Sequence, residues 1–148
     1  MNFRRFFRER IARPADDPAA REHAVRVAAA ALMIEVVRGD AEFSDIEREA
    51  VRVSVGRKFG LPPPEADELL ALAEAAARDA HDYYQFTSKI NDSFSEQQKL
   101  RLIEELWRVA FADETLHRHE DHLIRRVAGL LHVRHKDLVQ SRHRVRGA

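Results

Sequence analysis

The fold depends on residues 19–38, which read AAREHAVRVAAAALMIEVVR. This stretch contains neither Pro nor Gly and is rich in alanine, the strongest helix former. Its apolar side chains recur at the spacing of a helix face; among them are Val25, Ala29, Leu32, Met33 and Val36. The pattern predicts a helix that is buried in the core.

Further helices are predicted on the C-terminal side of this segment. Ser44 and Glu47 have the spacing of a capping box, in which each side chain satisfies a free amide at a helix start, and the helix that follows ends near Gly60. The remaining patterns predict helices over residues 65–80, 81–91, 95–112, 117–131 and 136–142, with one or two turns at 81–91 and a short last helix. We therefore predict an all-α, single-domain helical bundle of about seven or eight helices.

Residues 1–18 form a separate N-terminal arm and linker, and the helical domain is predicted over residues 19–148. Pro14 and Pro18 bracket an acidic turn and bias their predecessors away from helix. Before them, arginines alternate with apolar side chains, which predicts a short basic amphipathic helix; the apolar residues are Phe3, Phe6, Phe7 and Ile11. We expect this arm to dock on its own domain, on a protein partner or at an anionic membrane surface.

Composition excludes several classes of function. The chain has 148 residues, no cysteine and a formal net charge of zero. It therefore has no thiolate zinc site or thiol nucleophile, and its overall charge gives no support to nucleic-acid binding. It also lacks a Gly-rich phosphate loop, a nucleophile elbow and a long continuous apolar run. We expect a non-enzymatic, cytoplasmic protein.

The chain contains an internal match between two acidic segments. When residue 40 is laid on residue 113, Asp40 falls on Asp113 and Glu47 on Glu120, and apolar neighbours also coincide. Equal spacing in two helix-loop-helix units indicates a duplication. We predict a pseudo-two-fold internal repeat.

The position of these acids on their helices predicts that they point inward. At about 100° per residue, Glu120 falls near the centre of the apolar stripe that contains Ile124 and Val127, and Asp113 continues the stripe of the preceding helix. Asp40 lies at the edge of its stripe and Glu47 between apolar neighbours. A buried carboxylate is costly unless it is hydrogen-bonded, paired, protonated or bound to metal.

Two interpretations of the four acids follow. In the first, Glu47 and Glu120 are capping partners and each Asp accepts amide hydrogen bonds from the next helix. In the second, Asp40, Glu47, Asp113 and Glu120 together ligate a hard divalent cation, either Ca²⁺ or Mg²⁺. The site is not an EF-hand, because Val51 and Ile124 stand where that loop requires its final Glu.

Histidines and aromatic residues have simpler explanations. His119 and His122 lack the i, i+4 spacing of a zinc protease pair, and His122 faces away from the apolar stripe, so we interpret the histidines as solvated. The aromatic residues are expected to pack between the two halves of the bundle; they are Tyr83, Tyr84, Phe86, Phe94 and Trp107.

Several segments together resemble a known family. They are residues 29–47 with their Asp and Glu, Phe59-Gly60-Leu61, the run DYYQFT at 82–87, LWRVAFAD at 106–113 and RRVAGLL at 125–131. In this order they resemble the TerB family of tellurite-resistance proteins, over about residues 25–140. The domain is also similar to the helical region of the DjlA co-chaperone.

The resemblance implies an all-α pseudo-two-fold fold, acids that bind metal, and an accessory role in tellurite or stress response near the membrane. By position, the family's acids fall on Asp40, Glu47, Asp113 and Glu120. Family members often have Gly directly after each Asp, whereas this chain has Ala41 and Glu114 there. A loop that needs positive φ is harder to form with these residues, which counts against metal binding.

Three hypotheses of function remain. The leading one is a non-enzymatic module whose acidic cluster binds a divalent cation or fixes a surface that partner proteins recognise. The alternative is an adaptor or co-chaperone-like interaction module in which the acids are structural and the basic arm docks to membrane or partner. Metal-dependent hydrolysis ranks last, because it needs a bound cation with open water positions.

Overall fold

The computed structural model describes residues 17–38, 44–80, 82–112 and 118–147. Across these ranges the chain forms seven helices and no strand, which confirms the predicted all-α bundle. The predicted amphipathic arm lies outside the described residues. The helices are α1 (Pro18–Arg38), α2 (Asp45–Phe59), α3 (Pro63–Asp79), α4 (Tyr84–Ser93), α5 (Glu96–Ala110), α6 (Arg118–Leu130) and α7 (His135–Arg146).

Helix α1 is the centre of the bundle. Every residue from 27 to 34 is buried, so more than two complete helical turns have no solvent-exposed side. Helices α2 to α6 all pack against α1. The four consecutive alanines at 28–31 have small side chains, so neighbouring helices can approach the backbone of α1 closely there. The predicted buried helix is confirmed.

Capping boxes begin two of the helices that cover α1. At the start of α2, the Glu47 amide donates to Ser44 Oγ at 3.1 Å, and the Ser44 amide donates to Glu47 Oε1 at 3.0 Å. At the start of α5, Ser95 and Gln98 make the same reciprocal pair at 3.2 and 2.8 Å. Both predicted helix starts are confirmed, and Glu47 is a capping residue.

Three helix boundaries differ from those predicted. Helix α3 begins at Pro63 rather than near residue 65, because Pro needs no amide partner in the first helical turn. Helix α4 is ten residues long and begins at Tyr84, whose amide donates to Asp82 Oδ1 at 2.9 Å. Helix α7 continues to Arg146, because no helix-breaking residue precedes Gly147, which ends it at φ 76°.

A buried hydrogen bond attaches α7 to α5. Trp107 Nε1 donates to Ser141 Oγ at 3.0 Å, and Ser141 Oγ donates to the Leu138 carbonyl at 2.6 Å. Trp107 and Ser141 are fully buried. The last helix is therefore part of the core packing, although the sequence pattern predicted only a short helix there.

Most of the predicted aromatic residues contact the core. Phe86 and Trp107 are buried, and Tyr83 and Phe94 pack partly buried against the core. The prediction is wrong for Tyr84, whose side chain is 67% exposed. Tyr84 lies about 200° around α4 from the buried Phe86, so it points to solvent when Phe86 points inward.

Helix length and hydropathy also bear on membrane insertion. Within the described ranges, no helix has the length and apolar character needed to cross a bilayer.

Two glycines provide a test of the helix boundaries. Gly60 ends α2 in the left-handed region at φ 64°, whereas Gly129 lies within α6 and has no positive φ. At both sites, an added Cβ would meet no atom within 4 Å. Gly60→Ala should lower the free energy of unfolding by about 1 kcal/mol through backbone strain alone. Gly129→Ala should raise it by about 0.5 kcal/mol, because alanine loses less conformational freedom on folding.

The measurement is urea unfolding of both variants followed by circular dichroism, and opposite signs are expected. Equal effects of the two substitutions would contradict the assigned end of α2.

Candidate acidic site

The four predicted acids fall partly within the described residues. Glu47 is the third residue of α2 and is half-buried, with one carboxylate oxygen engaged by the Ser44 amide. Glu120 is the third residue of α6 and is only 3% exposed. Asp40 and Asp113 lie outside the described residues. The structure therefore confirms the inward position of Glu120 and the capping role of Glu47.

Helices α2 and α5, which adjoin the acidic segments in the chain, pack against each other. Helix α2 crosses the side of α5 with Ser54 against Glu105. A shallow groove between these two helices is lined by Ile46 and Ala50 from the start of α2 and by Val109 and Ala112 from the end of α5. The start of α2 therefore lies beside the end of α5. Ile46 and Ala112, which are close in the chain to residues 39–43 and 113–117, therefore lie at the same end of the bundle.

The structure describes only part of the predicted metal site. Among the described residues, no three His, Cys, Asp or Glu side chains come together in a way that could hold a metal ion. Only two of the four predicted acids belong to that part of the chain, so the four-carboxylate site stays a prediction. His122 is exposed, as expected for a solvated histidine.

A second buried carboxylate, Glu105 on α5, was missed by the sequence analysis. It is 5% exposed and accepts a hydrogen bond from Ser54 Oγ of α2. Arg57 donates to both of its oxygens, at 3.3 Å to Oε1 and 2.8 Å to Oε2, and Arg108 donates to Oε1 at 2.5 Å. One carboxylate thus joins α2 to α5 through Ser54 and Arg57, while Arg108 pairs with it within α5.

The charge of Glu105 is maintained by these partners. Burial alone raises the pKa of its carboxyl group. The hydrogen bonds from Arg57 and Ser54, together with the charges of Arg57 and Arg108, lower this pKa by more than burial raises it. The net result is a pKa below the ordinary glutamate value. Glu105 is therefore an ionised acid whose role is to hold two helices together.

The signal for Glu105 was present in the sequence. It stands three residues after Leu102 and four before Val109, both buried, so it belongs to the inward face of α5. Ser54 has the same relation to Val51, and it too is buried. Helical periodicity therefore identifies both residues when polar positions are included in the stripe.

The side chain of Glu35, near the C-terminal end of α1, is partly shielded from water. Glu35 lies one turn before the end of α1 and is bonded to Arg38. Burial raises the pKa of its carboxyl group, and the opposing charge of Arg38 does not reverse the shift. The carboxyl group of Glu35 is therefore less readily ionised than that of an exposed glutamate.

The role of Glu105 can be tested by Glu105→Gln. Loss of the charge-assisted hydrogen bonds should lower the free energy of unfolding by about 1 to 2 kcal/mol at neutral pH. Because the native pKa is depressed, this stabilisation is present above the unfolded-state value of about 4.3 and is lost as the pH falls through the lower native pKa. The difference between wild type and variant should therefore shrink on acidification.

Urea unfolding at a series of pH values measures both effects. Glu68→Gln, at an exposed position on α3, is the matched control and should change stability little. A difference that grows toward acid pH would contradict the assigned ionisation state.

Comparison with known families identifies the domain. A family model described as tellurite resistance protein TerB matches residues 26–143, a region that includes part or all of each described helix. No curated protein and no solved structure gives a significant match to the chain. The family match extends over most of the chain and agrees with the helical architecture, and the chain therefore belongs to the TerB family.

Proposed function

We propose that this chain is a non-enzymatic accessory module of tellurite resistance or a related stress response, and that it binds a divalent cation through Asp40, Glu47, Asp113 and Glu120. The observation that carries the proposal is the antiparallel packing of α2 on α5. It places the groove residues Ile46 and Ala112 at the same end of the bundle. This packing supports a site shared by the two segments that contain the four acids.

The donor set suits a hard cation. Four carboxylates offer only oxygen ligands, which is the chemistry that Ca²⁺ and Mg²⁺ prefer. A carboxylate has two oxygens, so Glu47 can hold the α2 cap with one and contribute the other. A bound cation would supply positive charge that offsets the repulsion among these acids and links the two loops.

An internal repeat is part of the same proposal. Helices α1 and α2 form one helix-loop-helix pair, and α5 and α6 form another. Glu47 and Glu120 are each the third residue of the second helix of their pair. Equivalent positions for the two acids support a duplicated unit with a shared site between its copies.

The capping role of Glu47 favours a second candidate function, an adaptor module with structural acids. In that case, partner or membrane contacts are made by the basic arm, and the acids only shape the loops. Pull-down from intact cytosolic and membrane fractions, comparing full-length chain with a variant lacking residues 1–16, separates the two candidates. Capture that depends on the arm and is unchanged in Glu120→Gln would favour the adaptor. We propose a cytoplasmic setting for both.

The cation proposal is tested by calorimetric titration of chelator-treated protein with Ca²⁺, Mg²⁺ and Mn²⁺. Wild type should bind at least one of these ions saturably, and Asp113→Asn and Glu120→Gln should each weaken binding by at least about tenfold, because each removes a charged ligand. Asp121→Asn is the matched control. Asp121 is adjacent to Glu120 but pairs with Arg125 at 2.6 Å, so its loss should leave the affinity unchanged.

All variants are first checked for native helix content by circular dichroism. Absence of binding heat with every ion in a folded sample would exclude the cation site, and so would an equal loss of affinity in Asp121→Asn.

A further inference from the structure

A cationic cleft lies at the end of the bundle opposite the start of α2. It has a volume of about 910 Å³ and is formed by the start of α1, the end of α2, the end of α4 and the face of α5 that runs from Gln98 to Arg108. That volume is within the range of small-molecule sites, about 300 to 1,000 Å³. Six basic side chains line it, namely Arg21, Arg26, Arg57, Lys58, Arg101 and Arg108.

The acids of this cleft neutralise only some of its cations. Glu22 pairs with Arg26 at 2.7 Å, and Glu105 pairs with Arg57 and Arg108. Glu104 pairs at 2.8 Å with Arg144, which is not part of the lining. Asp92, the fourth acid, is exposed and forms no ion pair with the described residues. Positive charge therefore remains in excess in the cleft.

Three of the basic side chains contribute this excess. Within the described chain, Arg21, Lys58 and Arg101 have no carboxylate within ion-pair distance. They come from three different helices, α1, α2 and α5, so their convergence is a property of the fold. Such side chains bind a multiply charged oxyanion well, since guanidinium groups give forked hydrogen bonds and an ammonium gives a compact charge.

Lys58 is the most constrained of the three. Its ammonium lies 5.3 Å from the ring centroid of Phe94 and 5.7 Å from that of Phe59, and Arg26 covers Phe59 at 5.3 Å. Burial lowers the pKa of Lys58, and the nearby charges of Glu105 and Glu104 do not restore it. An anion in the cleft would favour the charged form of this lysine.

We propose that this cleft binds a small soluble molecule that carries a phosphate group, with Lys58, Arg21 and Arg101 as its main contacts. The rings of Phe59 and Phe94 are already covered by cations, so the cleft offers little apolar surface to an acyl chain. The N-terminal arm is an unfavourable occupant, because its own arginines would be repelled by the lining. This site is independent of the proposed cation site.

The test uses inorganic pyrophosphate and ATP as probes, titrated calorimetrically into the full-length chain in the presence of a chelator. Wild type should bind at least one probe saturably, with affinity that falls as salt increases. Lys58→Met and Arg101→Gln should each weaken binding by about tenfold or more. Lys89→Met is the control, because Lys89 is an exposed lysine on α4 outside the cleft and the substitution is the same.

A second readout reports on Lys58 itself. At alkaline pH, binding to wild type should take up protons, measured as a heat that depends on the ionisation enthalpy of the buffer, because the anion raises the pKa of the lysine. Lys58→Met should lose this uptake while keeping its native helix content. Failure of both probes to bind, equal weakening in Lys89→Met, or binding only to vesicles that contain phosphatidic acid would each overturn the proposal.

Discussion

The structure depends on the complete burial of the central part of α1, residues 27–34. A helix whose residues 27–34 are all shielded from water must be covered on every side, and helices α2 to α6 provide that cover. Burial of apolar surface is the main stabilising term in folding, so this central helix determines where the others lie. The run of alanines at its centre allows the surrounding helices to come close enough to contact one another.

Charge is distributed unevenly along that central axis. Helix α1 has 21 residues and is about 30 Å long. Its C-terminal end leads to the acidic segments, and its N-terminal end contributes Arg21 to the cationic cleft. Between the two ends, Glu105 holds α2 to α5 through Ser54 and Arg57. The same antiparallel helix pair therefore extends from the cationic cleft to the helix ends that adjoin the acidic segments in the chain.

The sequence predicted the helices and their starts well, because capping boxes and apolar periodicity are local signals. The inward position of Glu120 followed from the same periodicity. Side-chain partnerships between helices were not predictable in this way, because Ser54 and Glu105 are far apart in the chain and meet only through packing. Tyr84 was misplaced because an aromatic residue was assumed to be buried wherever it occurs, whereas the rotation of α4 is set by Phe86 and Ile90. The cationic cleft combines four helices and has no single sequence motif.

The proposed cation site requires the two acidic segments to act together. The most direct test is the backbone amide spectrum of isotope-labelled protein during titration with Ca²⁺, Mg²⁺ or Mn²⁺. For at least one of these ions, the resonances of residues 39–47 and 113–120 should change together along one saturable curve, while the cationic end of α1 stays unaffected. Changes confined to one of the segments, or weak changes spread over scattered surface acids, would contradict a shared site.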